Sequence, residues 1–182
     1  MESIKKVIGF VIGFAVISVI IYFVRGGDKL KEFEPYHSKE GRFSVLFPGE
    51  PERKLQQVDT PAETLEFVMY SAGSKKTGFI VAYVDYSQEM MKNADIKKML
   101  DGARDGAVRN INGRLEKEKV LDFHGKPGRE LEIMAPKKAI IKARLILIGN
   151  RLYQMMAISQ SNRILEEKTP EFFDSFKVDG VG

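Results

Sequence analysis

The chain has 182 residues, of which 43% are hydrophobic and 30% charged, which is enough for one hydrophobic core and too little for two. Its formal net charge of +4, half of it in the first 25 residues, excludes the strongly basic surface typical of nucleic-acid binding. The absence of cysteine excludes disulfides, thiol chemistry and thiolate metal sites.

Residues 7–24 form an uncharged apolar run that predicts a membrane-spanning helix. A helix of this length covers about 27 Å, close to the hydrocarbon thickness of a bilayer. The run ends at Val24-Arg25 without the small residues of a cleavage site, which favours an uncleaved anchor over a signal peptide. A buried core helix is the remaining alternative. The predicted spanning residues are Val7, Ile8, Phe10, Val11, Ile12, Phe14, Val16, Ile17, Val19, Ile20, Ile21, Phe23 and Val24.

The cations that flank this run decide its orientation. Lys5, Lys6 and the terminal amine precede it, and Arg25, Lys29 and Lys31 follow it, so the two sides are nearly balanced. Because the short N-terminus has little to carry across, we expect it inside and the rest of the chain outside. The expected location is the inner or plasma membrane, with a periplasmic or other extracytoplasmic domain. Residues 1–25 are predicted as an anchor, 26–34 as a polar tether and 35–182 as one domain.

Strand patterns dominate the first half of this domain. Apolar and polar residues alternate over 43–47 and 65–69, and residues 79–84 are apolar on both faces, which predicts a central strand. Helical spacing predicts a helix over about 94–110. Near the C-terminus, Thr169-Pro170-Glu171 combines a capping residue, a first-turn proline and an acid, which predicts the start of a short closing helix.

Two short connections fix the strand registers of residues 127–159. A three-residue loop at 136–138 places Glu130 opposite Arg144 and Glu132 opposite Lys142. A turn at 149–150 places Gln154 on the inner face, where it requires a hydrogen-bond partner. The first assignment pairs Leu131–Ala143 and Ile133–Ile141, the second pairs Ile141–Ile158, Ala143–Met156 and Leu147–Leu152, and both place these apolar pairs on the same buried face. The expected class is α+β, with an antiparallel sheet of about six to seven strands covered by helices behind the transmembrane helix.

Catalytic motifs are absent from the sequence. It has only His37 and His124, and it lacks a nucleophile elbow, a phosphate-binding loop and zinc-ligand spacing, so no catalytic residue, metal or cofactor is predicted. The segment 124–130 favours a structural turn, with anion contact through His124 as the alternative. The tyrosines predicted to line any pocket are Tyr70, Tyr83, Tyr86 and Tyr153.

Five cations without an acid lie between residues 137 and 151. The strand registers give Lys142 and Arg144 acidic partners and leave Lys137, Lys138 and Arg151 unpaired. These three, with His124, are candidate contacts for anionic lipid or an acidic partner. A solvated, salt-bridged face is the structural alternative.

Four segments together resemble bacterial members of the PsbP-like superfamily, named for an extrinsic subunit of photosystem II. They are Gly41-Arg42-Phe43-Ser44-Val45-Leu46-Phe47-Pro48 with Pro51, Gly125-Lys126-Pro127-Gly128-Arg129-Glu130, residues 144–153, and Phe172-Phe173-Asp174-Ser175-Phe176. The resemblance covers about residues 33–178. It implies an antiparallel sheet covered by helices, in a protein that is exported or membrane-attached and acts by binding or assisting assembly. The metal-contacting histidines and acids of PsbP have no counterparts here, so no binding residue is carried over.

Three functional hypotheses follow from the sequence. The leading one is a non-enzymatic, membrane-tethered binding or assembly domain with a protein partner in or near the membrane, anchored in the bilayer through residues 7–24. The second is a hydrolase or transferase, for which a histidine bonded to both an acid and a hydroxyl in a deep pocket would be the sign. The third is recognition of anionic lipid or cell-envelope polymer by the unpaired cations.

Overall fold

The computed structural model describes residues 27–59, 63–92 and 94–181. Within these ranges no helix has the length and apolar composition needed to cross a membrane. The predicted span at 7–24 lies outside them and stays a prediction.

Ten strands and three α-helices make up the described chain. In order they are β1 (Phe33–Ser38), β2 (Phe43–Pro48), β3 (Glu52–Asp59), β4 (Thr64–Gly73), β5 (Thr77–Asp85), α1 (Gln88–Met91), α2 (Ile96–Asn110), β6 (Arg114–Phe123), β7 (Lys126–Ala135), β8 (Ala139–Ile148), β9 (Arg151–Ser159), α3 (Asn162–Asp174) and β10 (Lys177–Val178), with a 3₁₀ turn at Pro136–Lys138 between β7 and β8. The predicted α+β class is confirmed.

The main sheet has seven antiparallel strands in the order β3-β4-β5-β9-β8-β7-β6. The predicted central strand is confirmed as β5, which is buried along all but its last residue. A second sheet of three strands, β1-β2-β10, was not predicted. The predicted strand at 43–47 is β2, and it belongs to this small sheet.

The registers predicted from the two turns are confirmed. Glu130 stands opposite Arg144, Glu132 opposite Lys142, and Gln154 opposite Leu145. Gln154 is fully buried, but neither its amide nitrogen nor its amide oxygen has a hydrogen-bond partner within the described residues. The expectation of a partner is therefore wrong for this part of the chain, and the buried amide carries an uncompensated desolvation cost.

Two hydrophobic clusters lie on the two faces of the main sheet. On one face α2 packs on β6, β7 and β8, and its buried residues Met99, Leu100, Ala103 and Ala107 join a cluster that continues to β5 and β9. On the other face the small sheet and α3 enclose an aromatic cluster that includes Phe43, Phe47, Phe79, Phe172 and Phe176. Since each face has its own cover, apolar residues are buried on both sides of the central strands.

An ion-pair network fixes α2 to the outer strands. Arg129 of β7 is only 8% exposed, and its guanidinium lies 3.2 Å from Asp101 of α2 and 3.1 Å from Glu118 of β6. Arg104 of α2 contacts the same Glu118 at 2.9 Å. Because two carboxylates lie within 3.2 Å of it, the charge of Arg129 is compensated where the sheet and the helix meet.

The start of the closing helix was predicted wrongly. Helix α3 begins at Asn162, where Ser161 caps it by accepting a hydrogen bond from the Ile164 amide, and Pro170 lies inside the helix. Thr169, predicted as the cap, is a buried helical residue. A cap motif thus occurs within a longer helix because burial of Leu165 stabilises the turns before Thr169.

Residues 27–32, predicted as part of a tether, lie against the domain. Gly27 forms a parallel β-bridge with Ser74, and its carbonyl accepts a hydrogen bond of 3.0 Å from the Lys75 amide. Asp28 forms a 2.8 Å ion pair with the Lys75 ammonium group. The chain therefore reaches the domain at the turn between β4 and β5.

Candidate functional site

Strands β6, β7 and β8 carry two rows of alternating charge on the face of the sheet that α3 partly covers. In one row Lys119, Glu130 and Arg144 are opposite one another, and in the other Lys117, Glu132 and Lys142 are. Residues two apart on a strand share a face, so both rows point to the same side. We call these two rows the charge ladders.

Helix α3 adds an acid to the end of each charge ladder. Asp174 lies 3.1 Å from the Arg144 guanidinium, whose other side contacts Glu130 at 2.8 Å. Glu166 lies 2.5 Å from the Lys142 ammonium group. Each charge ladder therefore runs base, acid, base, acid from the sheet edge to the helix.

Local electrostatics favour the charged form of Glu166. The hydrogen bond from Lys142 lowers the pKa of Glu166 below its ordinary value. At the other side of the site, the Lys117 ammonium group lies 3.3 Å from Glu132. Lys119 has no ion pair within the described residues, although it stands opposite Glu130. One cation of the charge ladders is thus available to an outside group.

A groove of about 430 Å³ lies between the charge ladders and α3. Thr169, Pro170 and Phe173 form part of its helical wall. Thr169 is 4% exposed, and its hydroxyl has no hydrogen-bond partner among the described residues. The Arg144 guanidinium lies over the Phe173 ring, 4.7 Å from its centroid. The groove thus offers charges of both signs beside a mixed polar and apolar lining.

Chemically, this arrangement suits reversible binding. Among the described residues that line the groove there is no histidine, serine or tyrosine. The tyrosines predicted to line a pocket do not border it. Tyr70, Tyr83 and Tyr153 instead surround the turn between β1 and β2, where Ser38 donates to the Tyr70 hydroxyl at 2.8 Å and Tyr153 donates to the Gly41 carbonyl at 2.8 Å.

The residues predicted as an anion or partner site are divided between two ends of the main sheet. Lys137 and Lys138 lie in the turn between β7 and β8, whereas Arg151 begins β9 and His124 lies in the turn between β6 and β7. The ten residues of β8 separate the two ends by about 33 Å. The four residues therefore do not form one surface.

Arg151 was predicted to be unpaired, and this is wrong. It is 7% exposed and forms a bidentate pair with Asp85, which stands opposite it on β5. Its guanidinium also donates to the carbonyls of Glu40 and Gly41 and lies 4.1 Å from the centroid of the Tyr83 ring. The partner comes from a strand 66 residues away, which the local hairpin registers did not include.

Neither histidine shows the arrangement set out for an enzyme. His37 lies 3.2 Å from Asp179 on the surface, and the His124 ring packs edge-to-face on Phe123. In the part of the chain that the structure describes, neither imidazole has a hydroxyl partner. Within the same ranges no group of three or more His, Asp or Glu side chains is placed to hold a metal ion.

The turn containing His124 has a structural explanation. His124 and Gly125 both have positive φ, 51° and 75°, and the Asp122 carboxylate accepts a hydrogen bond of 2.8 Å from the Gly125 amide. A short turn with two left-handed residues matches the twist of the flanking strands. Gly125 thus serves the hairpin, as the turn interpretation predicts, whereas Gly128 lies within β7 against the backbone of β8.

Part of the site could be predicted from the sequence. The central pairs of the charge ladders, Glu130–Arg144 and Glu132–Lys142, follow from the predicted registers. What the sequence reasoning missed is the contribution of β6 and α3. The alternating charges Lys117 and Lys119 were a signal for β6, whereas no local signal places α3 over the sheet.

No protein-family model and no curated protein matches the sequence. Among solved structures, the cyanobacterial PsbP protein CyanoP from Synechocystis sp. PCC 6803 matches with a TM-score of 0.52 and 11% identity, over 84% of this chain and 96% of that one. The chain therefore has a PsbP-like fold, as the resemblance in sequence implied, and at this identity the match concerns the fold alone.

Two further solved structures give lower scores. The Ran-binding protein Mog1p from Saccharomyces cerevisiae has a TM-score of 0.47 and 12% identity, over 81% of this chain and 96% of that one. The protein of unknown function PA94 from Pseudomonas aeruginosa has a TM-score of 0.42 and 14% identity, over 76% and 90%. Both are too distant to support a conclusion about this chain.

Proposed function

We propose that this protein is a membrane-tethered, extracytoplasmic binding domain that holds a charged segment of a protein partner in the groove between α3 and the charge ladders. The observation that carries the proposal is the groove itself, which is lined by charges of both signs and by Thr169, whose buried hydroxyl has no partner among the described residues. The uncharged run of residues 7–24 supports the tether.

The ion pairs of the groove are suited to exchange with a ligand. The side chains of Lys117 and Asp174 are each 69% exposed, so water already screens their interactions. Pairs of this kind contribute little to folding stability. A partner that carries both carboxylates and ammonium groups can therefore replace them at low cost. Binding of this type is expected to weaken as ionic strength rises.

Site-specific photo-cross-linking of the full-length protein in native membranes tests the groove. A photoreactive residue at Lys117 or at Glu166, on opposite walls, is expected to label the same partner. The control is Lys97, which is exposed on α2 at the other face of the sheet. Equal labelling from Lys97, or different partners from the two walls, would contradict the proposal.

Charge reversal provides the matched comparison. With the photoreactive residue at position 166, Lys117→Glu combined with Lys119→Glu should abolish the adduct, since it makes one end of both charge ladders acidic. Lys92→Glu combined with Lys97→Glu changes the net charge equally, away from the groove, and should leave the adduct intact. A similar loss in both double variants would show a general charge effect.

The tether has its own test. A C-terminal reporter that is active only outside the cytoplasm should be active, and the protein should stay in the membrane pellet after alkaline carbonate extraction. Deletion of residues 7–24 should release the protein or keep the reporter inactive. An inactive reporter on a membrane-retained protein would reverse the orientation and leave the anchor in place.

A further inference from the structure

Exposed cations gather at one end of the main sheet. Lys75 and Lys76 lie in the turn between β4 and β5, Lys137 and Lys138 in the turn between β7 and β8, and Arg163 in the first turn of α3. We call these five residues the basic end.

Ser159, the last residue of β9, and Gln160, which follows it, connect the two turns of the basic end. Ser159 donates a hydrogen bond of 3.2 Å to the Lys76 carbonyl, and the neighbouring Gln160 side chain donates one of 3.3 Å to the Lys137 carbonyl. Three strand spacings separate the two turns, which corresponds to about 14 Å. The cations therefore share one surface.

The N-terminal chain approaches the domain at this same end. Gly27 is paired with Ser74, beside Lys75. Val24, the last residue of the predicted span, precedes Gly27 by three residues, which cover at most about 11 Å. The polar headgroup layer of a bilayer is about 5–8 Å thick on each side. A domain held at Gly27 thus has its basic end at the headgroup surface.

Acidic side chains do not neutralise the basic end. Lys75 pairs with Asp28, whereas Lys76, Lys137, Lys138 and Arg163 have no ion pair within the described residues. Glu50 and Glu52 are at the same end, but they lie beside β3, at the edge of the sheet away from β7 and β8. The cations beside β8 and β9 are therefore free to attract an anionic surface.

The turn between β7 and β8 gives independent support. Lys137 and Lys138 have φ of 59° and 62°, in the left-handed region where glycine and asparagine are favoured. The backbone of the turn therefore does not account for two lysines in succession. Contact between their ammonium groups and an anionic surface would account for them.

We propose that the basic end rests on the bilayer and binds the phosphate groups of anionic lipids. The proposal depends on the tether proposed above and adds an orientation to it. In this orientation the strands extend away from the bilayer surface, and the groove between α3 and the charge ladders opens parallel to the bilayer plane. Near an anionic surface each lysine shifts the ratio of docked to undocked protein by about fivefold, equivalent to about 1 kcal/mol.

Fluorescence quenching of the full-length protein in vesicles tests the contact. Because the chain has no cysteine, Gln160→Cys and Glu89→Cys each provide a single labelling site, the first at the basic end and the second about 30 Å away at the opposite end. In vesicles of phosphatidylcholine and phosphatidylglycerol, a headgroup-attached quencher should quench the label at 160 and not the label at 89. Quenching at 160 should fall in pure phosphatidylcholine and in high salt.

Substitutions show whether the cations are responsible. Lys76→Gln, Lys137→Gln and Lys138→Gln together should lower the docked ratio about a hundredfold. The control combines Lys39→Gln, Lys92→Gln and Lys126→Gln, three exposed lysines at the opposite end, and should leave quenching unchanged. Equal quenching at 160 and 89, or no effect of the basic-end substitutions, would overturn the docking proposal.

Two further measurements test the turn lysines and the membrane tether separately from docking. Asparagine at 137 and glycine at 138 suit the left-handed backbone of the turn, so the double variant Lys137→Asn with Lys138→Gly should not lower stability. It should lower the ratio of docked to undocked protein about 25-fold, which is measured as weaker quenching. Unchanged quenching in this variant would overturn the role of the turn lysines. Release of the protein from all vesicles by alkaline carbonate would overturn the tether itself, whereas retention without quenching at 160 would overturn docking alone.

Discussion

Replacement of Arg151 by methionine should destabilise the protein by about 3 kcal/mol. Breaking a buried ion pair costs about 3–5 kcal/mol when the remaining charge has no compensation. Here the remaining partner, Asp85, has a side chain that is 45% exposed and can recover water, which lowers the cost. Loss of hydrogen bonds to the Glu40 and Gly41 carbonyls and of the contact with the Tyr83 ring raises it again.

Urea unfolding of the full-length protein in a mild detergent, followed by far-UV circular dichroism, measures this loss. The matched control is Arg53→Met, because Arg53 forms the same kind of bidentate pair with Glu40 but both side chains are exposed, 42% and 51%. It should cost less than about 1 kcal/mol. If Arg151→Met costs no more than Arg53→Met, Arg151 is not a structural clamp, and a role as a ligand contact returns.

Three other variants test the interior. Gln154→Met should raise the free energy of unfolding by about 1–2 kcal/mol, since it removes a buried amide without a partner within the described residues; a decrease would mean that the amide is satisfied after all. Burial raises the pKa of Tyr86 above 10 in the folded state, so the free energy of unfolding should fall as pH rises above about 10. In urea titrations at pH 9 and 11, Tyr86→Phe should lose less stability between the two pH values than the unmodified protein. An equal loss in both proteins would show that Tyr86 is not the cause. Gly128→Ala should cost about 1–3 kcal/mol by thermal unfolding, because a Cβ there would lie 2.6 Å from the Leu145 carbonyl oxygen, and an unchanged midpoint would show that the strands can separate.

The local patterns of the sequence were sufficient for much of the main sheet. The turns at 136–138 and 149–150 join neighbouring strands, so apolar alternation and charge pairing fix their registers without long-range information. The same applies to the central strand and to α2, whose boundaries differ from the expected helix by two residues at its start. The PsbP-like fold followed from short segments spread over the whole domain.

Long-range contacts decided the rest. The pair Arg151–Asp85, the docking of Gly27 against Ser74, and the addition of Glu166 and Asp174 to the charge ladders all join residues far apart in sequence. Nothing in the neighbourhood of these residues encodes their partners. In the small sheet β1 and β2 form a local hairpin, but the pairing of β10 with β2 joins residues more than 130 positions apart.

The sequence by itself thus determined the antiparallel strands, their local registers and the apolar run at 7–24, because each depends on periodicity or on short connections. Only the tertiary structure decided which charges meet. It buried Arg151 as a clamp, left Lys137 and Lys138 exposed at the end where the N-terminal chain enters, and formed a groove from α3 and three strands. The physical reason is that charge pairing depends on distance in space, which the packing of distant elements sets.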